Sequence, residues 1–185
     1  MFINITLSYI FMIITICGTP GSGKNTVAEM LAKKLGYSTI SMGDIRRSIA
    51  EERGISLAEL NKNDEETGET DKIVDQKLVR IGKEEDNVIA VGRTGFHFIP
   101  KSFKILLDVS VEEGARRIAL QARKHEKYKD IAYGIEKIKE RKKSDDFRLK
   151  KLYGIDYLNK KNYDLVIDTT KIPAKEVVEK IMSKL

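Results

Sequence analysis

The sequence predicts an α/β fold built on a doubly wound sheet of five parallel strands. Short apolar runs of strand length alternate with amphipathic segments of helical period along the chain, which is typical of parallel sheets with crossover helices. A glycine-rich segment at residues 18–26 joins the first apolar run to the first amphipathic segment. Because ligands of such sheets bind beyond the carboxyl ends of the strands, polar residues that follow a strand are the first candidates for a site.

Five short apolar runs are predicted as strands, at residues 13–17, 37–41, 87–91, 103–107 and 165–168. Helices are predicted where apolar side chains recur at helical spacing, at residues 24–35, 43–53, 71–83, 112–123, 131–152 and 173–185. Gly36 ends the first of these helices, and Pro173 suits the first turn of the last. A short helix at residues 56–61 has Ser56 as its N-cap and Glu59 three residues later.

Two polar stretches lack an apolar period. Residues 63–70 are predicted as a loop, and residues 125–130 as a candidate mobile loop. The chain has no internal repeat and no low-complexity linker, so we predict a single domain over residues 12–185 with a mobile lid at about residues 117–132. Residues 1–11 are predicted to be an N-terminal extension that is dispensable for folding, or a mistaken start.

The composition indicates a soluble, globular protein, since 41% of the 185 residues are hydrophobic and 34% are charged. The net charge of +6 fits either a solvated lysine-rich surface or an anionic partner such as a nucleotide or nucleic acid. Cys17 is the only cysteine, which excludes an internal disulfide and fits a reducing compartment. The uncharged residues 1–17 make a poor membrane span and lack the basic start of a signal peptide. We expect a cytoplasmic monomer without a membrane or nucleic-acid partner.

The glycine-rich segment has the form of a phosphate-binding loop, so the predicted sheet is of the P-loop NTPase type. Its glycines let the backbone wrap a polyphosphate, the helix behind it adds a positive partial charge, and Lys24 reaches the outer phosphates. The residues predicted to bind the nucleotide are Gly18, Thr19, Pro20, Gly21, Ser22, Gly23, Lys24, Asn25 and Thr26. Asn25 stands where Ser or Thr usually contacts Mg²⁺, so Thr26, one residue later, is the candidate metal ligand.

Arginines are candidate phosphate ligands, because the guanidinium fork binds phosphate oxygens bidentately. The relevant set is Arg46, Arg93, Arg117, Arg123, Arg141 and Arg148. Arg93 directly follows a predicted strand and lies between glycines, which favours a ligand role. Arg141, Asp145 and Arg148 share one helical face, an arrangement that fits either a binding site or an exposed ladder of ion pairs.

Several segments, in this order, resemble cytidylate kinases. They are residues 18–26, residues 40–46, Gly92 with Arg93, residues 104–110, residues 116–118 and residues 141–148. The compact length and the run Tyr153-Gly154-Ile155-Asp156 are most similar to the archaeal form. The resemblance covers residues 12–185 and implies transfer of the γ-phosphate of ATP to CMP or dCMP, with Mg²⁺.

The resemblance also implies roles for individual residues. Residues 18–26 would hold the ATP phosphates, with Lys24 between donor and acceptor. The implied catalytic residues are Lys24, Arg93, Arg117 and Arg148. Acceptor binding would use Ser41 facing the cytosine, Arg46, Arg93 and Arg148 on the CMP phosphate, Arg141 and Asp145 on the sugar, and Asp44 nearby. Arg117 and Arg123 would lie on a lid that closes over the transferred group and excludes water.

The chain departs from the family pattern near the base and the metal. Val91 stands where an acidic residue commonly precedes the Gly-Arg pair, and Thr94 stands where the bacterial form has an acid that contacts cytosine. These changes predict retained activity with relaxed base choice. Two other functions remain open: a different small-molecule kinase of this fold, such as an adenylate kinase, and a non-catalytic, nucleotide-dependent RNA-binding protein.

Overall fold

The computed structural model describes residues 12–120 and 130–185. The predicted N-terminal extension, Arg123 and the larger part of the predicted lid therefore lie outside the described residues. Within the described ranges, no helix has the length and apolar character needed to cross a membrane.

The sheet consists of five parallel strands, as predicted. The strands are β1 (Ile13–Gly18), β2 (Ser38–Ser41), β3 (Val88–Val91), β4 (Phe103–Asp108) and β5 (Leu165–Asp168), in the spatial order β2-β3-β1-β4-β5. β1 lies at the centre, with Ile16 paired to Val91 of β3 on one side and to Ile105 of β4 on the other. The chain thus leaves β1 toward one half of the sheet and later returns to build the other half. This reversal opens a crevice at the carboxyl end of β1, where ligands of doubly wound sheets bind.

Eight α-helices are described. They are α1 (Lys24–Leu35), α2 (Met42–Glu52), α3 (Leu57–Thr67), α4 (Glu69–Glu84), α5 (Gly95–Phe98), α6 (Val111–Leu120), α7 (Ile131–Tyr153) and α8 (Ala174–Met182), with a 3₁₀ turn at Lys160–Asn162. The predicted cap of α3 is confirmed, because the Ser56 hydroxyl accepts a hydrogen bond of 3.1 Å from the Glu59 amide. α5 and the 3₁₀ turn were not predicted, since a single turn is too short to show a period.

Both faces of the sheet are covered, which is why the strands read as nearly continuous apolar runs. Side chains of β1 alternate between the faces: Ile14 and Ile16 pack with α1 and α8, whereas Cys17 packs with Leu149 of α7. Farther along the second face, Leu78 and Ile81 of α4 pack against β3. The core therefore holds β1 rigidly from both sides, directly below the phosphate-binding loop.

The prediction of a loop over residues 63–70 is wrong. α3 continues to Thr67, Gly68 turns the chain with a φ of 60°, and α4 begins at once with Glu69. The inward positions of this segment are polar: Asn61, Asp64, Thr70 and Asp71 are all buried. A helix whose inner face binds charged partners shows no apolar period, so periodicity alone could not detect it.

Gly68 generates a prediction about stability. Its φ is positive, and a Cβ there would lie 2.7 Å from Leu152 Cδ2; Gly54 also has a positive φ, of 67°, but open space around it. Gly54→Ala should lower the free energy of unfolding by about 1 kcal/mol, and Gly68→Ala by about 2–3 kcal/mol because a steric clash adds to the backbone strain. Urea denaturation measures both losses, and equal losses would show that Leu152 moves aside freely.

Candidate active site

The phosphate-binding loop is shaped by backbone contacts that only glycine permits. Gly21 and Gly23 have φ values of 80° and 82°. A Cβ on Gly18 would lie 2.4 Å from the Leu107 carbonyl oxygen, and one on Gly21 would lie 2.5 Å from Gly114 Cα of α6. The loop is thus pressed between β4 and α6. No side chain in the described ranges caps the first turn of α1, so its amides and the helix dipole face a site suited to anions.

Residues that follow β1, β2 and β3 converge on one cleft. We predicted this convergence because these residues come directly after strands. The cleft is lined by Pro20, Gly21, Lys24, Asn25, Ser41, Gly43, Arg47, Val91, Gly92, Arg93 and Arg141. Among the predicted site residues, the structure therefore brings together Lys24, Asn25, Ser41, Arg93 and Arg141. The cationic side chains in this wall give the cleft a strong attraction for phosphate.

Asn25 joins the phosphate-binding loop to the start of α2. Its amide nitrogen donates to Ser41 Oγ and to Asp44 Oδ2, each at 3.4 Å. Ser41 Oγ also accepts from the Asp44 amide at 3.2 Å and so caps α2, while Asp44 forms an ion pair with Arg47. Asn25 and Ser41 thus line the cleft, and Asp44 is hydrogen-bonded to both of them.

Two of the predicted phosphate ligands, Arg46 and Arg148, are buried behind this cleft. Arg46 donates to Asp64 at 2.6 Å, to Asp71 at 2.7 Å and to Asn61 at 2.9 Å. Arg148 is 2% exposed and donates to the other oxygen of Asp71 at 2.8 Å. Both arginines are therefore bonded to carboxylates in this structure.

The bonding of arginines to carboxylates continues as far as the cleft itself. Arg148 also donates to Asp145 Oδ1 at 2.9 Å, and Arg93 forms an ion pair with Asp145 Oδ2 at 2.6 Å. The result is an arginine–aspartate chain of alternating charge, made of Asp64, Arg46, Asp71, Arg148, Asp145 and Arg93. It begins on α3 and ends at the cleft wall. From the sequence, Arg141, Asp145 and Arg148 could also have formed an exposed ladder of ion pairs. Asp145 and Arg148 are buried, so that alternative does not apply to them.

The ion pairs around Asp145 keep Asp145 and Arg93 ionised. Burial alone would raise the pKa of Asp145, but the adjacent cations Arg93, Arg148 and Arg141 hold it below its ordinary value. Burial would likewise lower the pKa of Arg93, yet the Asp145 carboxylate raises it above the usual range. Each charge is thus stabilised by its neighbours rather than by water.

A second cavity, of about 220 Å³, lies on the other side of the phosphate-binding loop. It is lined by Ser22, Gly23, Thr26, Val27, Arg117, Thr169, Ile172, Pro173, Ala174 and Val177. Arg117 donates to the Thr169 carbonyl at 2.7 Å and to Glu113 at 2.8 Å. Arg117 and Thr26 therefore border this cavity and not the cleft with Lys24. Sequence reasoning missed Thr169, whose hydroxyl donates to the Ser22 carbonyl at 3.1 Å.

Sequence reasoning also missed Asp75. Its carboxylate accepts hydrogen bonds from Thr94 Oγ1 at 2.5 Å and from the Tyr153 hydroxyl at 2.6 Å. Burial, together with the nearby Asp71 carboxylate, raises the pKa of Asp75. The signal was present in the sequence, since Asp71 and Asp75 stand on the apolar face of α4 beside Val74 and Leu78; buried acids require partners.

Comparison with known proteins identifies the family. Residues 13–171 match the model of the cytidylate kinase-like family. The chain belongs to this family. It is 40% identical over 170 residues to the cytidylate kinase of Sulfurisphaera tokodaii, covering 90% of this chain and 91% of that protein. It is 34% identical over 163 residues to the cytidylate kinase of Methanothermobacter thermautotrophicus, covering 88% of this chain and 98% of that protein.

One relative has a different name and a greater length. The chain is 34% identical to an S-adenosylmethionine-dependent nucleotide dehydratase of Lacinutrix mariniflava, but covers 35% of that protein against 91% of itself. Among solved structures, shikimate kinase of Bacteroides thetaiotaomicron superposes with a TM-score of 0.63 at 18% identity, covering 94% of this chain and 98% of that one. That likeness supports the fold alone. The similarity to the cytidylate kinases over most of the chain shows that this protein is a kinase, a phosphotransferase that acts on nucleoside monophosphates.

The buried position of Asp145 predicts a pH-dependent loss of stability in this kinase. Asp145→Asn should lower the free energy of unfolding by about 3–5 kcal/mol at pH 7, because it leaves buried arginines without their carboxylate. Asp145 has a depressed pKa in the folded state, so its contribution is present above the ordinary aspartate pKa of about 4 and is lost as the pH falls through the folded value. The difference between the two proteins should therefore shrink in acid, as measured by urea denaturation.

The neighbouring residue supplies the control. Asp146 pairs with Lys150 at 2.9 Å on the surface, so Asp146→Asn should cost less than about 1 kcal/mol at any pH. A loss for Asp145→Asn that did not change with pH would contradict the assignment of its carboxylate charge.

Proposed function

We propose that this kinase transfers the γ-phosphoryl group of ATP to CMP or dCMP, giving CDP or dCDP. The observation that carries the proposal is the cleft in which Lys24 of the phosphate-binding loop faces the cations Arg93 and Arg141. Donor and acceptor phosphates would meet there. Phosphoryl transfer needs mainly positioning and positive charge from the protein, and this wall supplies both. An acceptor phosphate with a second pKa of about 6 is already anionic at neutral pH, so no general base is required.

On the donor side, residues 18–26 would hold the ATP phosphates. The cavity lined by Arg117, Thr26 and Thr169 adjoins the same loop and would hold the rest of the donor nucleotide. Arg117 begins the segment at about residues 117–132 that we propose as the lid. Closure of that lid would exclude water, which otherwise competes as an acceptor.

Mg²⁺ fits the rim formed by Asn25, Ser41 and Asp44. In the described part of the chain, no three His, Cys, Asp or Glu side chains form a metal cluster, which suits an ion that keeps several waters and binds substrate phosphates. The Asn25 amide nitrogen donates to Asp44 at 3.4 Å, so Asn25 would offer the ion its carbonyl oxygen and Asp44 a carboxylate oxygen, directly or through water. Thr26, which the sequence predicts as a ligand, borders the second cavity, on the other side of the same loop. Once bound, Mg²⁺ would neutralise charge on the transferred phosphoryl group.

On the acceptor side, Ser41 would face the cytosine, and Arg141 and Asp145 would meet the sugar. We propose that Arg46, Arg93 and Arg148 bind the CMP phosphate. Arg46 and Arg148 are bonded to carboxylates here, so the phosphate must replace a carboxylate oxygen on each.

A panel of acceptors tests the proposal. With ATP and Mg²⁺, CMP and dCMP should be phosphorylated fastest, UMP should also react because no acid stands at Val91 or Thr94, and AMP should react least. The release of ADP, followed in a coupled assay, measures the rate with each of the four monophosphates. A preference for AMP would favour an adenylate kinase. RNA affinity with a steep salt dependence and no transfer would favour an RNA-binding protein. Intact ATP binding without turnover of any of the four would refute the kinase reaction.

The position of Lys24 gives a second prediction. Lys24→Met should lower kcat by about 10²–10³-fold, because it removes a charge preorganised at the transferred group. Lys33, an exposed residue in the last turn of the same helix, provides the matched control, and Lys33→Met should leave kcat and the melting temperature unchanged. A similar kcat for the two variants would remove Lys24 from the mechanism.

A further inference from the structure

Tyr157 has no role in the reaction described so far, although it is among the largest fully buried side chains. It is 1% exposed and lies in the segment between α7 and β5. The Cζ atom of Arg93 is 6.0 Å from the centroid of its ring, a distance at which a cation and an aromatic ring attract each other. We propose that Tyr157 is a positioning residue, which holds the Arg93 guanidinium in the orientation that binds the acceptor phosphate. This inference rests on the proposed function.

The contacts of Arg93 show why a second support is needed. Asp145 Oδ2 holds one terminal nitrogen, at 2.6 Å, and a single ion pair leaves a guanidinium free to turn about that contact. Within the described residues, Arg93 Nε and the Tyr157 hydroxyl are both buried and neither makes a hydrogen bond of ordinary geometry. Their proximity nevertheless raises the pKa of Arg93 further, after the effect of Asp145. The phenol therefore lies close to the guanidinium, which Asp145 contacts at one terminal nitrogen.

Tyr157 is itself anchored to the strand that carries the phosphate-binding loop. Its carbonyl accepts a hydrogen bond of 2.5 Å from the Tyr163 hydroxyl and a 4.0 Å contact from the Cys17 thiol. Cys17 is the residue before Gly18 on β1. The ring also packs with Leu106 and Leu149. Tyr157 thus links the orientation of Arg93, on the acceptor side, to the position of the loop that binds the donor.

Tyr157 would act on the ligand through Arg93. Tyr157 is absent from the cleft wall, whereas Arg93 is part of it. A planar guanidinium binds phosphate well only when its fork faces the oxygens, and small errors of orientation reduce the rate of a positioned reaction. Loss of the phenol should therefore weaken acceptor use and leave the donor site unchanged.

Tyr157→Phe tests this role, because it removes only the hydroxyl and keeps the ring. We expect kcat/KM for CMP to fall about tenfold, because a guanidinium that is held less well in its binding orientation slows a positioned reaction, with most of the change in the KM for CMP. The KM for ATP should remain within about twofold. In an Arg93→Met background, the same substitution should have little further effect, because the two residues act as one unit.

Tyr153→Phe is the matched control, since Tyr153 packs against the same buried cluster and its hydroxyl bonds to Asp75, so the substitution leaves both Arg93 and the anchor of Tyr157 in place. Both variants should lose melting temperature, but only Tyr157→Phe should raise the KM for CMP. A normal KM for CMP in Tyr157→Phe, or an increase in both variants that follows their loss of melting temperature, would overturn the inference. Wild-type protein that phosphorylates none of the four monophosphates would instead refute the proposed function, and this role with it.

Discussion

The half of the molecule that we propose to bind the acceptor depends on one interaction, the alternating ion pairs of Asp64, Arg46, Asp71, Arg148, Asp145 and Arg93. They join α2, α3, α4 and α7 to the turn after β3, where apolar packing alone could not specify one arrangement. Removing three arginines from water is costly unless each finds a carboxylate. The balance of three positive and three negative groups meets that condition and keeps the arginines close to the cleft.

The molecule has two halves that are held together by different kinds of contact. The half around α1 and α8 is held by an ordinary apolar core against β1, which suits a loop whose backbone must keep a constant shape. The half that would bind the acceptor is held by polar contacts, which a phosphate can replace with contacts of the same kind. In the proposed reaction, a rigid donor site and an exchangeable acceptor site would meet at Lys24.

The sequence predicted those parts of the structure that depend on local pattern. The glycine spacing around Lys24 and the apolar strands identified the sheet, its ligand edge and the convergence of Lys24, Ser41 and Arg93. The prediction failed at residues 63–70, because the inner face of that helix is polar and its partners are distant in sequence. For the same reason, the sequence marked Arg46 and Arg148 as cations but could not reveal that Asp64 and Asp71 bind them. Asp75 and Tyr157 were missed because their importance comes from neighbours that only the fold brings together.

The buried thiol of Cys17 is an intrinsic probe of local opening of the structure. It is the only cysteine of the chain, it lies beside Tyr157 beneath the phosphate-binding loop, and burial raises the pKa of its thiol. Alkylating reagents attack only an accessible thiolate, so their rate of reaction measures how often the central strand opens to solvent. Labelling kinetics at this one atom can therefore show whether a ligand slows that opening, without any introduced probe.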